Sequence, residues 1–320
     1  MGLSVFVTLV GIPSPASSQT TRDFTIVSPE HAVDLVEVER TPENNLQFTF
    51  KNTSNKTILE LCISAKRGST FVEMVCMHGF GGGGALPAPG ATMPFLFDAK
   101  EFVSDEQPGQ PLERSLRVYA AVYTDGSHIG SKNILDKIED QMIGVAMETK
   151  RVSDILAACP DDSVTGLDSA LPQIGTSPPS STDADAVDRL AAKLYGQSLP
   201  GIDQSYLDSH VNLHTTDFLE GVAAARNSAL YAIKEVKDTA ALPGGGEARS
   251  KKISEARSHG RAELARKVQL LSESQITYLA AFKGARDAQS YPTQNLPSNA
   301  DSVHFRDCLA KHLRQTIRKI

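Results

Sequence analysis

The 320-residue chain contains no tryptophan, and only 6% of it is aromatic. So thin an aromatic supply argues against a carbohydrate-binding surface. It also removes the buried Trp around which antibody-type domains pack. No long apolar run is evident. The run at residues 3–12 has about half the roughly twenty residues needed to cross a bilayer, and the mean hydropathy of -0.21 excludes a polytopic membrane protein. An excess of positive charge is missing too. Lys and Arg number 32 against 38 Asp and Glu, a net charge of -6, so nothing general favours nucleic acid. Nine Lys/Arg stand against fourteen Asp/Glu up to Gly130, and 23 against 24 beyond it. The acidity therefore belongs to the first part of the chain.

What is present is a single change of hydrophobic period near Asp125-Gly126. Before it, apolar and polar residues alternate; after it, apolar residues recur every three or four positions. The pattern predicts an all-β module over residues 24–128 and an all-α module of long helices over 131–320, each with its own core.

In the first part, short runs rich in Val, Ile, Phe and Thr predict six or seven strands. They include Val33–Glu39, Leu46–Lys51, Thr57–Lys66, Phe71–Met77, Met93–Phe97 and Ser115–Thr124. Leu59, Leu61, Ile63 and Ala65 are expected inward, and Glu60, Cys62, Ser64 and Lys66 outward. Turn chemistry comes from Asn52-Thr-Ser-Asn55, Arg67-Gly68 and Asp125-Gly126. Many short strands with no helix between them predict a two-sheet sandwich of immunoglobulin-like type. The Asn-rich turn leading into Lys56-Thr-Ile58, the Pro87-Ala-Pro-Gly90 turn and the closing Ala121-Val-Tyr-Thr-Asp-Gly126 resemble small immunoglobulin-like domains of exported bacterial proteins. That resemblance implies an envelope or extracellular setting and an adhesive or spacing role. It brings no catalytic residues.

The N-terminal run, followed by small residues Ala16, Ser17 and Ser18, fits the apolar core and cleavage region of a secretory signal over residues 1–18. The positive residue that normally precedes such a core is missing, and a first strand is the alternative. Four cysteines in an exported chain are ordinarily read as two bridges. A tight hairpin centred on Arg67-Gly68, however, points Cys62 and Cys76 to opposite faces of the sheet and predicts that they are unbonded. A bulge would reverse that register. A bridge between Cys159 and Cys308 is left open.

In the second part, Leu135, Ile138, Met142, Val145, Thr149, Val152 and Leu156 alternate steps of three and four, which predicts a bundle helix over 132–158. The polar stretch 160–182, with Ser177-Pro-Pro-Ser-Ser181, reads as a flexible loop. A short helix over 183–195 and a long one over 204–241 follow. The break at Pro243-Gly-Gly-Gly246 then turns the chain into a return helix over 247–288. A last amphipathic helix from Ala300 carries Arg306, Lys311, Arg314, Arg318 and Lys319; it reads as a solvated bundle face with cations towards its C-terminal end, and weak contact with a membrane surface is the alternative.

Candidate chemistry is sparse. His210 and His214 stand one helical turn apart, the spacing at which two histidines share a metal. The Glu of the zinc-protease pattern is missing, and a metal site needs three or four ligands. His78-Gly-Phe-Gly-Gly-Gly-Gly84 has the look of an oxyanion-hole segment but has no Gly-x-Ser-x-Gly partner. Asn52 and Asn55 begin glycosylation sequons. No cofactor-binding pattern is complete. The sequence therefore predicts a non-enzymatic exported binding or structural protein that associates with a protein partner or with itself through its helices. The alternatives are a metal protein or enzyme using His210 and His214, and an intracellular helical scaffold that dimerises.

Overall fold

The computed structural model of the chain describes residues 24–28, 32–43, 45–67, 70–79, 86–98, 114–175, 198–213 and 215–288. Eight strands come first: β1 (Phe24–Val27), β2 (Val33–Arg40), β3 (Asn45–Asn52), β4 (Ile58–Arg67), β5 (Thr70–His78), β6 (Thr92–Asp98), β7 (Arg114–Tyr123) and β8 (His128–Gly130). The described helices follow: α1 (Lys132–Ala158), α2 (Gly166–Ile174), α3 (Gln204–Leu213), α4 (Thr215–Ala241) and α5 (Glu247–Ala288). The readings over residues 1–18, 183–195 and 300–320 lie outside the described residues.

The strands form two sheets. β2, β3 and β6 make one, in that order, and β1, β7, β4 and β5 make the other. β1 runs parallel to the first half of β7, at Arg114–Arg117, and β8 folds back on Ala120–Val122. The alternation in β3 turns Leu46, Phe48 and Phe50 inward and leaves Lys51 exposed. Phe48 meets Phe24 and Phe97 edge to face, with centroids 4.9 and 5.2 Å apart. With Leu61, Ile63, Leu116 and Val118 these rings fill the space between the sheets.

The larger sheet is buried on its other face as well. Leu59, Cys62, Cys76, Ala120 and Val122 share a core with Leu135, Ile138 and Met142 of α1 and Phe282 of α5. An all-β immunoglobulin-like sandwich followed by a separate all-α bundle is therefore the wrong description. The arrangement is mixed: the smaller sheet packs on the larger, and the larger packs on helices. Glu60, Cys62 and Ser64, expected to face solvent, are at most 2% exposed. The physical reason is that a period of two fixes which residues share a face but not whether that face is wet. The register shift between Ile58 and Glu60 gives β4 an extra residue and turns Leu59 to the helices, away from Leu61, Ile63 and Ala65, and the shift between Cys62 and Ile63 re-aims β7. Leu116, Val118, Ala121 and Tyr123 face the sandwich, while Ala120 and Val122 face the helices.

A bulge of the same kind corrects the cysteine reading. β4 and β5 slip between Ala65 and Lys66, which places Cys62 directly opposite Cys76. The two are bonded, with Cα atoms 4.1 Å apart. Cys159 is free and buried, and Cys308 lies outside the described residues.

α1 is the central helix, packed against α4 and α5. Its seam residues Leu135, Ile138, Met142, Val145, Thr149, Val152 and Leu156 are all buried. Two glycines set the α1–α4 crossing. A Cβ on Gly144 would lie 2.0 Å from the Phe218 carbonyl oxygen, and one on Gly221 would lie 2.1 Å from that of Gln141. Each glycine admits the other helix's backbone. Between strands and helices, Gly126 has φ +83°, and a Cβ there would meet the Ala281 carbonyl oxygen at 2.2 Å. The turn that marks the period change is thus pressed onto α5, and the His128 ring lies edge to face on Phe282 at 5.1 Å.

Within the stretch read as a loop, residues 166–174 form α2, whose Leu167, Ala170 and Ile174 pack on Val152, Leu156 and Ile233. Arginines close the helix ends nearby. Arg257 donates to the carbonyls of Ala240 (2.7 Å) and Leu242 (3.2 Å) at the end of α4. Arg261 donates to those of Leu156 and Asp161, both at 2.9 Å. These contacts satisfy acceptors that a helix terminus leaves without an internal partner.

Substituting Gly144→Ala or Gly221→Ala forces backbone against side chain, so each is expected to cost about 3 kcal/mol or more, the upper range for overpacking. Urea unfolding is the measurement. Wild-type midpoints in both variants would show that the helices do not cross this closely.

Candidate functional site

Three helices bring ionisable side chains together around Glu139 and Asp140, neighbours on α1. Tyr206 and His210 are four apart on α3 and so share one face. α3 starts where the Asp203 carboxylate accepts the Ser205 amide at 2.9 Å, an N-cap contact. From that face the Tyr206 hydroxyl donates to Glu139, and His210 Nδ1 bonds the Asp140 carboxylate. The two rings lie 4.6 Å apart. α5 contributes Arg286, whose Nη1 stands 2.7 Å from Glu139 Oε2 and whose Nη2 donates to Asp136. Lys132 reaches Asp136 at 2.7 Å. Lys283 Nζ lies 4.9 Å from the centre of the Tyr206 ring.

Asp140 is fully buried, and the His210 side chain is 20% exposed. Burial opposes charging of the imidazole. The hydrogen bond to Asp140 and the charges of Glu139 and Asp140 outweigh it and raise His210 above its ordinary 6.5. Burial also raises Tyr206, with the Glu139 charge and hydrogen bond acting in the same direction, so the phenol stays protonated as a donor. For Asp136, burial is outweighed by its bonds to Lys132 and Arg286, which hold it below 3.8.

A second buried network lies further along α1. Glu148 is wholly buried and accepts from Arg151 at 2.6 and 2.8 Å and from Arg226 of α4 at 2.8 Å. Arg151 also donates to the Gln173 and Ile174 carbonyls, closing the C-terminal end of α2. Each guanidinium therefore ties two elements together.

The sequence reading found His210 but paired it with His214, which lies outside the described residues. Its partners in the structure are Asp140 and Tyr206. Among the described residues, no group of three or more His, Cys, Asp or Glu side chains is placed to hold a metal ion. Asp140, Glu139, Tyr206 and Arg286 were missed. A signal was available: Ile143-Gly-Val-Ala-Met147 widens the apolar surface of α1 well beyond one stripe, which implies burial on several sides. Acids on such a helix need partners. Of the sequons, Asn52 is buried, and its amide donates to the carbonyls of Lys56 (2.8 Å) and Pro87 (2.9 Å). It is a turn clamp and is inaccessible to a glycan.

No protein-family model matches this chain, and no curated protein or solved structure matches it. No helix among the described residues is long and apolar enough to cross a membrane.

As an imidazolium–carboxylate pair, His210–Asp140 can hold α3 on α1 and orient the ring. The linkage follows from the two shifts. His210 is raised, so its contribution is complete below 6.5 and is lost as pH climbs through the raised value. Asp136 is lowered, so its contribution is complete above 3.8 and is lost as pH falls through the lowered value. NMR titration should find the His210 imidazole titrating above 6.5, and His210→Gln should flatten the alkaline side of the stability profile. An imidazole titrating below its ordinary value would contradict the pairing. In the second network, Glu148→Ala strands two buried guanidinium groups. Chemical denaturation should register a loss of about 3–5 kcal/mol, far more than for an exposed acid such as Glu255.

Proposed function

We propose that this protein is an exported, non-enzymatic binding or structural protein. The observation that supports the non-enzymatic part is that, among the described residues, the buried acids of α1 are engaged by side chains. Glu139, Asp140 and Glu148, the acids best placed for chemistry, are engaged by Tyr206, His210, Arg286, Arg151 and Arg226 across helix boundaries. A catalytic group must stay available to a substrate, and these side chains serve helix packing instead. The Cys62–Cys76 bridge supports export, because disulfides persist in oxidising compartments.

A second reading rests on one observation, the buried carboxylate on His210 Nδ1. A carboxylate in that position orients a histidine general base or a metal-bound imidazole. Elemental analysis of the purified protein separates the two readings. Stoichiometric zinc that disappears in His210→Ala would transfer the assignment to a metal protein.

Export is tested by mass spectrometry of the protein as its native cell makes it. Non-reducing peptide maps should contain a Cys62–Cys76 cross-linked pair, and the mature chain should begin after Ala16 or Ser18. Alkylation of both cysteines without reductant, on a chain retaining Met1, would remove the export reading.

A further inference from the structure

The α4–α5 hairpin ends in an apex unlike the rest of the molecule. The α1–α2 connection lies level with Arg257 and Arg261, where the Val164 amide bonds the Arg257 carbonyl at 3.1 Å. Past that level, every residue from 241 to 255 is exposed except Ile253. Leu242, 40% exposed, stands at the tip beside Pro243 and three glycines.

Three exposed cations follow that tip in sequence: Arg249 in the first turn of α5, and Lys251 and Lys252 in the second. Helix pairing accounts for Lys251, four residues from both Glu247 and Glu255, but not for Arg249, which has no acid three or four residues away in sequence. The start of a helix carries the positive end of its dipole, so cations there cost stability, and only Glu247 offsets them in that first turn. Lys251 lies 3.8 Å from Glu255, an exposed pair of little strength. The negative pole that the end of α4 would contribute is covered by Arg257, bound to the Ala240 and Leu242 carbonyls. In a chain of net charge -6, the exposed stretch 241–255 thus carries three cations against Glu247 and Glu255. Where a sequence breaks a local rule without a packing gain, function is the expected reason.

We propose that this apex docks on the anionic headgroups of a lipid bilayer, with Leu242 entering the interface and Arg249, Lys251 and Lys252 meeting the phosphates. An aliphatic tip followed by exposed cations fits the boundary between headgroups and acyl chains, which takes up apolar side chains and attracts Lys and Arg together. An acidic protein would satisfy the cations but give Leu242 no apolar phase. The proposal names the partner of the binding role above and rests on it.

The test is sedimentation of the full chain with vesicles of phosphatidylcholine alone or mixed with phosphatidylglycerol. Wild type should bind the mixed vesicles only, and more weakly as salt rises. Replacing Arg249, Lys251 and Lys252 together by Ala should weaken binding about a hundredfold, at the affinity each surface cation supplies near an anionic bilayer. The triple variant's Tm should be unchanged or higher, since cations unfavourable to the helix dipole have gone. Leu242→Ser should weaken binding several-fold and leave its salt dependence intact. Failure of wild type to bind, or undiminished binding by the triple variant, overturns the proposal. In the latter case the basic residues 306–319 are the membrane contact. Capture by polyglutamate without capture by anionic vesicles assigns the apex to acidic proteins, which overturns the lipid assignment and leaves the broader binding role standing.

Discussion

The fold depends on one requirement: α1 is covered on nearly every side, including the side that carries its charges. Of its 27 residues, those from Ile138 to Thr149 are buried without interruption, Glu139, Asp140, Gln141 and Glu148 among them. A buried carboxylate without partners is far costlier than any packing gain. Each neighbouring helix therefore has to bring a donor to a defined height along α1. α3 brings Tyr206 and His210, α4 brings Arg226, and α5 brings Arg286. Away from the close crossing at Gly144 and Gly221, apolar contact alone would let a helix slide or rotate at lower cost. An acid that must meet one particular guanidinium or imidazole would not. The two ionic networks fix register more than they add stability, since a buried ion pair gains little over an apolar pair of the same volume.

The same helix explains why strands and helices form one structure. The larger sheet has apolar side chains on both faces. The smaller sheet covers one, and α1, with part of α5, covers the other. The joint is made at the turn where the hydrophobic period changes. Gly126 lets the β7–β8 turn approach the α5 backbone, and His128 lies on Phe282 immediately beyond it. A change of period marks a change of secondary structure. Here it marks a contact rather than a domain boundary.

This accounts for what was legible in the sequence. Local signals were strong: the span of α1 and that of α5 follow from apolar spacing and from the Pro243-Gly-Gly-Gly246 break, and the strands from alternation and turn residues. Long-range facts were hidden. Cys62 and Cys76 meet because the strands slip by one residue at Ala65, and nothing in a run of alternating residues announces a bulge. Glu60 and Ser64 read as solvent-facing because polar side chains usually are, and the helical cover comes from residues more than seventy positions away. α2 was concealed by the polar composition of its surroundings, although Leu167, Ala170 and Ile174 keep a helical step. His210 was recognised as a residue with chemical potential, but its nearest histidine in sequence drew attention from its partners in space.

These arrangements divide the molecule by electrostatic role. Around the middle of α1, charge is internal and engaged by the neighbouring helices. Along the hairpin the balance reverses. Past Arg257 the two helices have lost the support of α1, Ile253 is the buried residue that remains, and the cations point to water. A helix of 42 residues spans about 60 Å at 1.5 Å per residue. Its far end is anchored to Asp136 and Glu139 through Arg286, close to where α1 begins. An anchor at one end and exposed charge at the other distinguish the two ends of α5. The buried ion pairs near its base hold the direction in which the exposed end points, and a contact at the apex bears on the same helix that carries the Arg286 anchor.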